Sequence, residues 1–227
     1  MTIASWGFAP ALAAGNAVVL KPAELTPLTA IRLGELALEA GLPEGLFQVI
    51  VGSGSVVGQR FVSHPDVRKV VFTGSTEVGT EVAAGCARLL KPVTLELGGK
   101  GANIVFDDAD LERAAAAAPG AVFDNAGQDC CARSRLLVQR SVYDRFLELL
   151  EPAVAAWRVG DPTRDDVDMG PLISAGHRDG VASFLDGANV AFRGSAPTGA
   201  EAGDGFWFAP AVVLAAPGDR VAQDEVF

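Results

Sequence analysis

The chain has 227 residues with 18 basic and 28 acidic side chains, a net charge of −10 at neutral pH. That balance argues against a nucleic-acid or anionic-membrane partner, since both need clustered Lys and Arg. Hydrophobic residues make up 49% of the chain, enough to build the core of one large domain or two small ones.

The opening Met1-Thr2-Ile3-Ala4-Ser5-Trp6 lacks the basic segment of a secretory leader. No apolar run reaches the roughly 18 residues that a membrane span needs. After the turn signal Gly15-Asn16, Ala17-Val18-Val19-Leu20 predicts a strand. Thr26-Pro27 predicts a helix start, with proline at the first helical position. Leu28, Ile31, Leu33, Leu36 and Leu38 supply that helix with an apolar face, and Gly41 with Pro43 ends it. Residues 47–51 predict the next strand. Gly52, Gly54 and Gly58 then open a helix covering 56–62. A third strand at 69–72 runs through Thr73-Gly74-Ser75-Thr76 into a helix over 77–89, and a fourth strand occupies 93–97.

Strands alternating with helices predict an α/β fold with a parallel sheet, right-handed crossovers and helices on both faces. Ligands of such sheets bind at the carboxyl ends of the strands, here at Lys21, Gly52, Thr73 and Glu96. Beyond Gly98 come a strand at 103–106 and an alanine-rich helix led by Asp107-Asp108-Ala109-Asp110, whose acids suit a helix N-terminus. A helix is expected from Gly120 into the cysteine segment, then a strand at 136–138 and a long amphipathic helix over 142–157. Residues 159–170 read as a polar loop and 194–205 as an exposed Gly-, Ala- and Pro-rich stretch.

Two segments carry chemistry. Ala126-Gly127-Gln128-Asp129-Cys130-Cys131 has the outline of a presented thiol nucleophile, and Leu95-Glu96-Leu97-Gly98-Gly99-Lys100 that of a base at a strand end. Of the three cysteines, Cys86 and Cys131 read as small packing residues. Adjacent cysteines rarely bond to each other, so a reducing, cytoplasmic setting is expected. His64 and His177 lie far apart and no Cys-x-x-Cys occurs, so no metal site is expected. Asp129 tends to raise the thiol pKa of its neighbour Cys130, so activation has to come from elsewhere.

These segments resemble the two active-site signatures of the NAD(P)-dependent aldehyde dehydrogenase superfamily. Lys21-Pro22-Ala23-Glu24 with Thr26-Pro27, and Phe72-Thr73-Gly74-Ser75-Thr76-Glu77-Val78-Gly79, are similar to its cofactor segments. Val159-Gly160-Asp161-Pro162, Met169-Gly170-Pro171-Leu172 and Asp224-Glu225-Val226-Phe227 continue the likeness in order along the chain. The resemblance implies a Rossmann-like cofactor domain over 1–97 and part of a second, catalytic α/β domain over 98–227. It implies that Cys130 attacks an aldehyde and that Glu96 activates the water that releases the acid. Lys21 and Glu24 would meet the adenosine ribose, and Gly74 with Ser75 the pyrophosphate at a helix start. Gly54 and Gly58 form a weak glycine fingerprint. Phe72, Thr73, Val78, Leu97 and Gly98 complete the cofactor surface, with Glu225 at the nicotinamide ribose and Phe227 beside its ring. Glu24 disfavours a 2′-phosphate, so NAD is expected over NADP.

Family members are roughly twice this length. The likeness begins after their Pro-Trp-Asn segment, whose asparagine serves the oxyanion hole, so the sequence reads as a central portion of an enzyme whose full-length form is a homo-dimer or homo-tetramer. Two other readings remain open: a non-catalytic nucleotide-binding remnant, and a cysteine hydrolase pairing Cys130 with His64 or His177.

Overall fold

The computed structural model describes residues 2–227. The chain divides between Leu97 and Gly98 into two compact units.

The first unit opens on a helix that the sequence reading did not anticipate, α1 (Thr2–Ala13). Its Phe8 ring lies 5.0 Å from that of Phe47. Gly7 comes so close to Val71 that a Cβ there would stand 3.4 Å from Val71 Cγ1. Strand β1 (Val18–Leu20) is followed by α2 (Leu28–Glu39) and β2 (Phe47–Val49), and β1 pairs with β2 in parallel, with Val18 opposite Phe47. Strand β3 (Val70–Thr73), α4 (Thr76–Arg88) and β4 (Val93–Glu96) repeat the arrangement, with Thr73 opposite Glu96. The parallel pairing and the helical crossovers are as expected. The bonding runs as two separate two-stranded ladders rather than one continuous sheet.

Local departures have clear causes. Thr26 supplies no cap. Pro27 already has helical angles (φ −84°, ψ −22°), and its carbonyl accepts from Ala30 and Ile31. The leucine face expected of α2 is largely uncovered: Leu28 is 76% exposed and Leu38 50%. The side that meets β2 is instead built from small residues. Ala30 is buried, and a Cβ on Gly34 would stand 3.2 Å from Val49 Cγ2. The helix expected over 56–62 is a π turn (Gly54–Gly58) continued by the short α3 (Gln59–Ser63). The core here is Val62, Val82 and Cys86 against Val70, Phe72, Val93 and Leu95. Beside it, the buried Lys91 places Nζ 2.9, 2.7 and 3.0 Å from the carbonyl oxygens of Phe61, Val62 and His64. Those of Phe61 and Val62 are orphan acceptors at the end of α3, while that of His64 also accepts the Val67 N–H at 3.2 Å, and a cation suits that end of a helix.

In the second unit, β5 (Ala102–Val105) leads through α5 (Leu111–Ala117) and α6 (Gly120–Phe123) to the parallel β6 (Arg135–Val138). Helix α5 is capped by Asp110, whose Oδ1 accepts the Arg113 N–H at 3.0 Å. The amphipathic α7 (Tyr143–Ala155) lays Phe146, Leu150 and Val154 into a core with Val105, Ala115 and Ala118. Two regions without a sequence signal also fold: α8 (Ala175–Ala182), and an antiparallel pair of β7 (Val190–Arg193) with β8 (Ala211–Val213). The chain then reaches the short α9 (Arg220–Gln223). The polar stretch 159–170 is a closed loop. Val159 bridges Met169, and Arg158 clamps Asp168 through Nε at 2.9 Å and a second guanidinium nitrogen at 3.1 Å. That hydrogen-bonded pair holds the Asp168 carboxyl below the usual carboxylate range.

Phe146 is fully buried at the centre of this core. Phe146→Ala is expected to cost about 3–5 kcal/mol through lost burial and the cavity left behind. A fall in the urea midpoint measured by near-ultraviolet circular dichroism checks this; an unchanged midpoint would show that the core does not close on Phe146. Among the described residues, no helix is long and apolar enough to cross a membrane.

Candidate active site

In the first unit, two clusters form at the carboxyl ends of the strands. Lys21 follows β1, and its Nζ donates to the Pro22 carbonyl at 2.9 Å. Glu24 Oε1 accepts the Gly54 N–H at 3.0 Å, which joins the loop after β1 to the π turn after β2. Gly58 closes that turn. An anion approaching the Gly54 amide therefore competes with a carboxylate already in place.

The second cluster gathers Thr73, Gly74, Ser75 and Glu96. The Gly74 N–H continues the ladder to the Glu96 carbonyl at 3.1 Å. Ser75 caps α4, its Oγ accepting the Val78 N–H at 3.3 Å. Gly74 also makes room for the Phe72 ring: a Cβ there would stand 2.6 Å from the ring's tip, so the ring would have to move. Since the Gly74 amide is engaged, the donors this helix start offers are those of Thr76 and Glu77. Ser75 and Val78 are exposed around it. Leu97 lies against Gly79, where any side chain would collide with it. Glu96 is half-buried at the end of β4.

In the second unit, Cys130 sits in a turn, not on a helix. The helix expected from Gly120 stops at Phe123, because Asn125 (φ 52°), Ala126 (φ 59°) and Gly127 (φ 76°) are all left-handed. Left-handed non-glycine residues cost about 1–3 kcal/mol each and persist only where the surroundings hold them. Here Asn125 Nδ2 donates to the Gln128 carbonyl at 2.8 Å, and Gln128 Nε2 donates back to the Asn125 carbonyl at 3.2 Å. Gln128 Oε1 also accepts the Ile173 N–H at 3.0 Å. Ala126 is buried with Met169 and Leu172. Asp129 Oδ1 accepts the Cys131 N–H at 3.0 Å. The result is a rigid bracket that delivers Cys130 half-buried and Cys131 exposed. Ala126 escaped the sequence reading because alanine carries no signal for a left-handed turn, whereas asparagine, the type at 125, tolerates one.

The segment Gly98 to Gly101 runs alongside this turn. A Cβ on Gly99 would stand 2.7 Å from the Cys130 carbonyl oxygen. The Gly99 N–H donates to Glu225 Oε1 at 2.9 Å, and Gly98 lies directly against the same carboxylate. So Gly98, Glu225 and Cys130, far apart in sequence, share one neighbourhood. Phe227 is held by His177: its carbonyl lies 2.6 Å from His177 Nε2, and the two rings meet edge-on at 5.9 Å. His177 is thus engaged with Phe227, and no hydrogen bond links it to Cys130 among the described residues. His64 lies in the first unit, where its Nδ1 accepts the Asp66 N–H at 3.2 Å.

Burial pushes the Cys130 thiol above its ordinary pKa, and neighbouring Cys131 and Asp129 add to the rise. The alkylation rate of Cys130 by iodoacetamide, followed by peptide mass mapping, is therefore expected to keep climbing beyond the pH at which an ordinary cysteine levels off. A plateau below that pH would contradict it. Lys100 shifts the other way, its ammonium pushed down by burial and by Arg135. An apolar cavity of about 430 Å³ lies between β6, α7, β8 and the C-terminal segment, bounded by Phe146, Leu150 and Val226 among others; Cys130 is not among its lining residues.

The sequence model of the Aldehyde dehydrogenase family matches residues 1–227. Betaine aldehyde dehydrogenase 2 of Rhizobium meliloti is 44% identical over 229 residues, 99% of this chain and 47% of its own length. Succinate-semialdehyde dehydrogenase [NADP(+)] of Escherichia coli is 46% identical over 224 residues, 96% of this chain and 46% of its own. A crystal structure of PnpE in complex with nicotinamide adenine dinucleotide superposes with a TM-score of 0.94 at 46% identity, covering 99% of this chain and 47% of that one. Betaine aldehyde dehydrogenase from Staphylococcus aureus in complex with NAD+ gives 0.93 at 42%, covering 98% and 45%. The chain spans about half the length of the curated relatives it matches. By sequence along its whole length and by fold, the chain belongs to the aldehyde dehydrogenase family.

Proposed function

We propose that this chain carries the thiol and the base of an NAD-dependent oxidation of an aldehyde to a carboxylic acid. The observation that carries this reading is the bracket of left-handed residues that presents Cys130 on a fixed turn. A packing cysteine needs no such support; Cys86, fully buried, has none.

The first unit serves as the cofactor domain and the second as the thiol domain. The residues of the first unit fit a dinucleotide. The start of α4, a helix of 13 residues, lies exposed at the end of a parallel strand, which favours pyrophosphate. Lys21 and Glu24 follow β1 in the same unit, and Glu24 favours free ribose hydroxyls over a 2′-phosphate. In the second unit, Glu225 offers a carboxylate to the nicotinamide ribose, with Phe227 as the aromatic near its ring. A reducing cytoplasm suits the three free thiols.

The Cys130 thiolate adds to the aldehyde carbon, and the carbonyl oxygen takes the electron pair. The Cys130 backbone N–H, which accompanies its own sulfur, stabilises that oxyanion. A bound nicotinamide dinucleotide supplies the hydride acceptor that conversion of the adduct to a thioester requires. Glu96 takes a proton from water, the hydroxide adds to the thioester carbon, and the C–S bond breaks to release the carboxylate and restore the thiol.

Incubating the chain with NAD and an aldehyde and following the absorbance of reduced nicotinamide tests the proposal. The expected result is reduced cofactor formed in step with carboxylic acid. NAD binding without turnover would support the non-catalytic remnant instead, and hydrolysis of esters without reduction of NAD would support the cysteine hydrolase.

A further inference from the structure

We infer that Asp129, Cys130 and Cys131 form a chelating site for a thiophilic divalent cation of the zinc group. The two sulfurs lie 3.8 Å apart. Two thiolates bound to one tetrahedral ion at about 2.3 Å each are also about 3.8 Å apart, so the turn already holds the pair at the required bite. A carboxylate oxygen of Asp129 lies within 4.8 Å of both sulfurs. Asp129 Oδ1 is anchored by the Cys131 N–H, which leaves Oδ2 to reach the ion, with water in the fourth position. Entry is open, since Cys131 is exposed.

The absence of a Cys-x-x-Cys pattern gave no expectation of metal. Adjacent cysteines chelate only if the backbone turns both side chains to one side, and here both sit in the turn that the Ala132 N–H closes on the Asp129 carbonyl at 3.0 Å. The exchange balances simply: the cation displaces one proton from each thiol and forms two metal–sulfur bonds, with no change of oxidation state. The site stands without the proposed activity. Where that activity holds, occupancy withdraws the Cys130 sulfur from the carbonyl and makes the cation a reversible inhibitor.

The test is titration of the reduced, full 227-residue chain with Cd2+, read by the thiolate-to-metal ultraviolet band, with Zn2+ as competitor. One Cd2+ is expected per chain, displaced by Zn2+, with release of two protons. Cys131→Ser should halve the band and weaken binding by about 100-fold or more, while Asp129→Asn, which keeps the acceptor for the Cys131 N–H, should weaken it by about tenfold and keep the band. Cys86→Ser should change nothing. No band at one equivalent of Cd2+ overturns the site, as does a full band in folded Cys131→Ser. Loss of aldehyde oxidation leaves these readings untouched, so failure of the site and failure of the proposed activity are separable.

Discussion

Cys130→Ala is expected to lower NAD-dependent aldehyde oxidation by about 10⁴-fold or more, the scale on which loss of a covalent nucleophile is felt. The substitution removes one sulfur from a turn whose fixing bonds come from other residues. Asn125 and Gln128 bond reciprocally, Gln128 also holds Ile173, and Asp129 holds Cys131. The bracket should therefore survive, and NAD affinity and the thermal transition should stay close to those of the parent chain. Steady-state rates with both measured in parallel check the prediction. Turnover persisting within tenfold would transfer the nucleophile elsewhere, with Cys131, the exposed neighbour, the first place to look.

Glu96→Gln should lower steady-state turnover by about 10²–10⁴-fold, the usual contribution of a positioned base. Its character should differ from that of the cysteine variant. The glutamine is close in size and leaves the backbone bond between Gly74 and the Glu96 carbonyl in place, so the ladder and the helix start beside it persist. Reduction of NAD should still occur once, as a rapid burst of about one equivalent, before the slowed release of acid. Loss of the burst along with turnover would assign Glu96 a role before thioester formation.

Much of the fold was legible because βαβ units write their period plainly. The apolar run at Val18, the crossover helix and the run at Phe47 pair as expected, and so do those at Val70 and Val93. The strands of the second unit at Val105 and Val138 were equally plain, and Phe146, Leu150 and Val154 fall at helical spacing. What escaped lacked a local signal. Helix α1 is apolar on all sides and includes Pro10, so it offers neither an amphipathic period nor a clean helical composition. The β7–β8 pair joins residues some twenty positions apart across a glycine-rich stretch. For α2 the period was visible but misleading: the leucines mark a face that this chain leaves uncovered, while Ala30 and Gly34 make the contact with β2.

The site divides in the same way. Gly74, Ser75 and Cys130 stood out by residue type and neighbours. The approach of Glu225 to Gly99 spans 126 residues of sequence and follows only from the folded chain. The left-handed conformation of Asn125 and Ala126 follows from the contacts around Gln128, Met169 and Leu172. The competition between Glu24 and an incoming anion for the Gly54 amide likewise appears only once the two loops meet.

The proposed reaction requires that one sulfur be covalently acylated during aldehyde oxidation. The most direct measurement is acid quenching of the Glu96→Gln chain after mixing with NAD and an aldehyde, followed by peptide mass mapping. The mass of the acyl group is expected on the peptide holding residues 130 and 131, placed by fragmentation on Cys130. An unmodified Cys130 after a full burst of reduced nicotinamide, or an acyl group placed on Cys131, would contradict it.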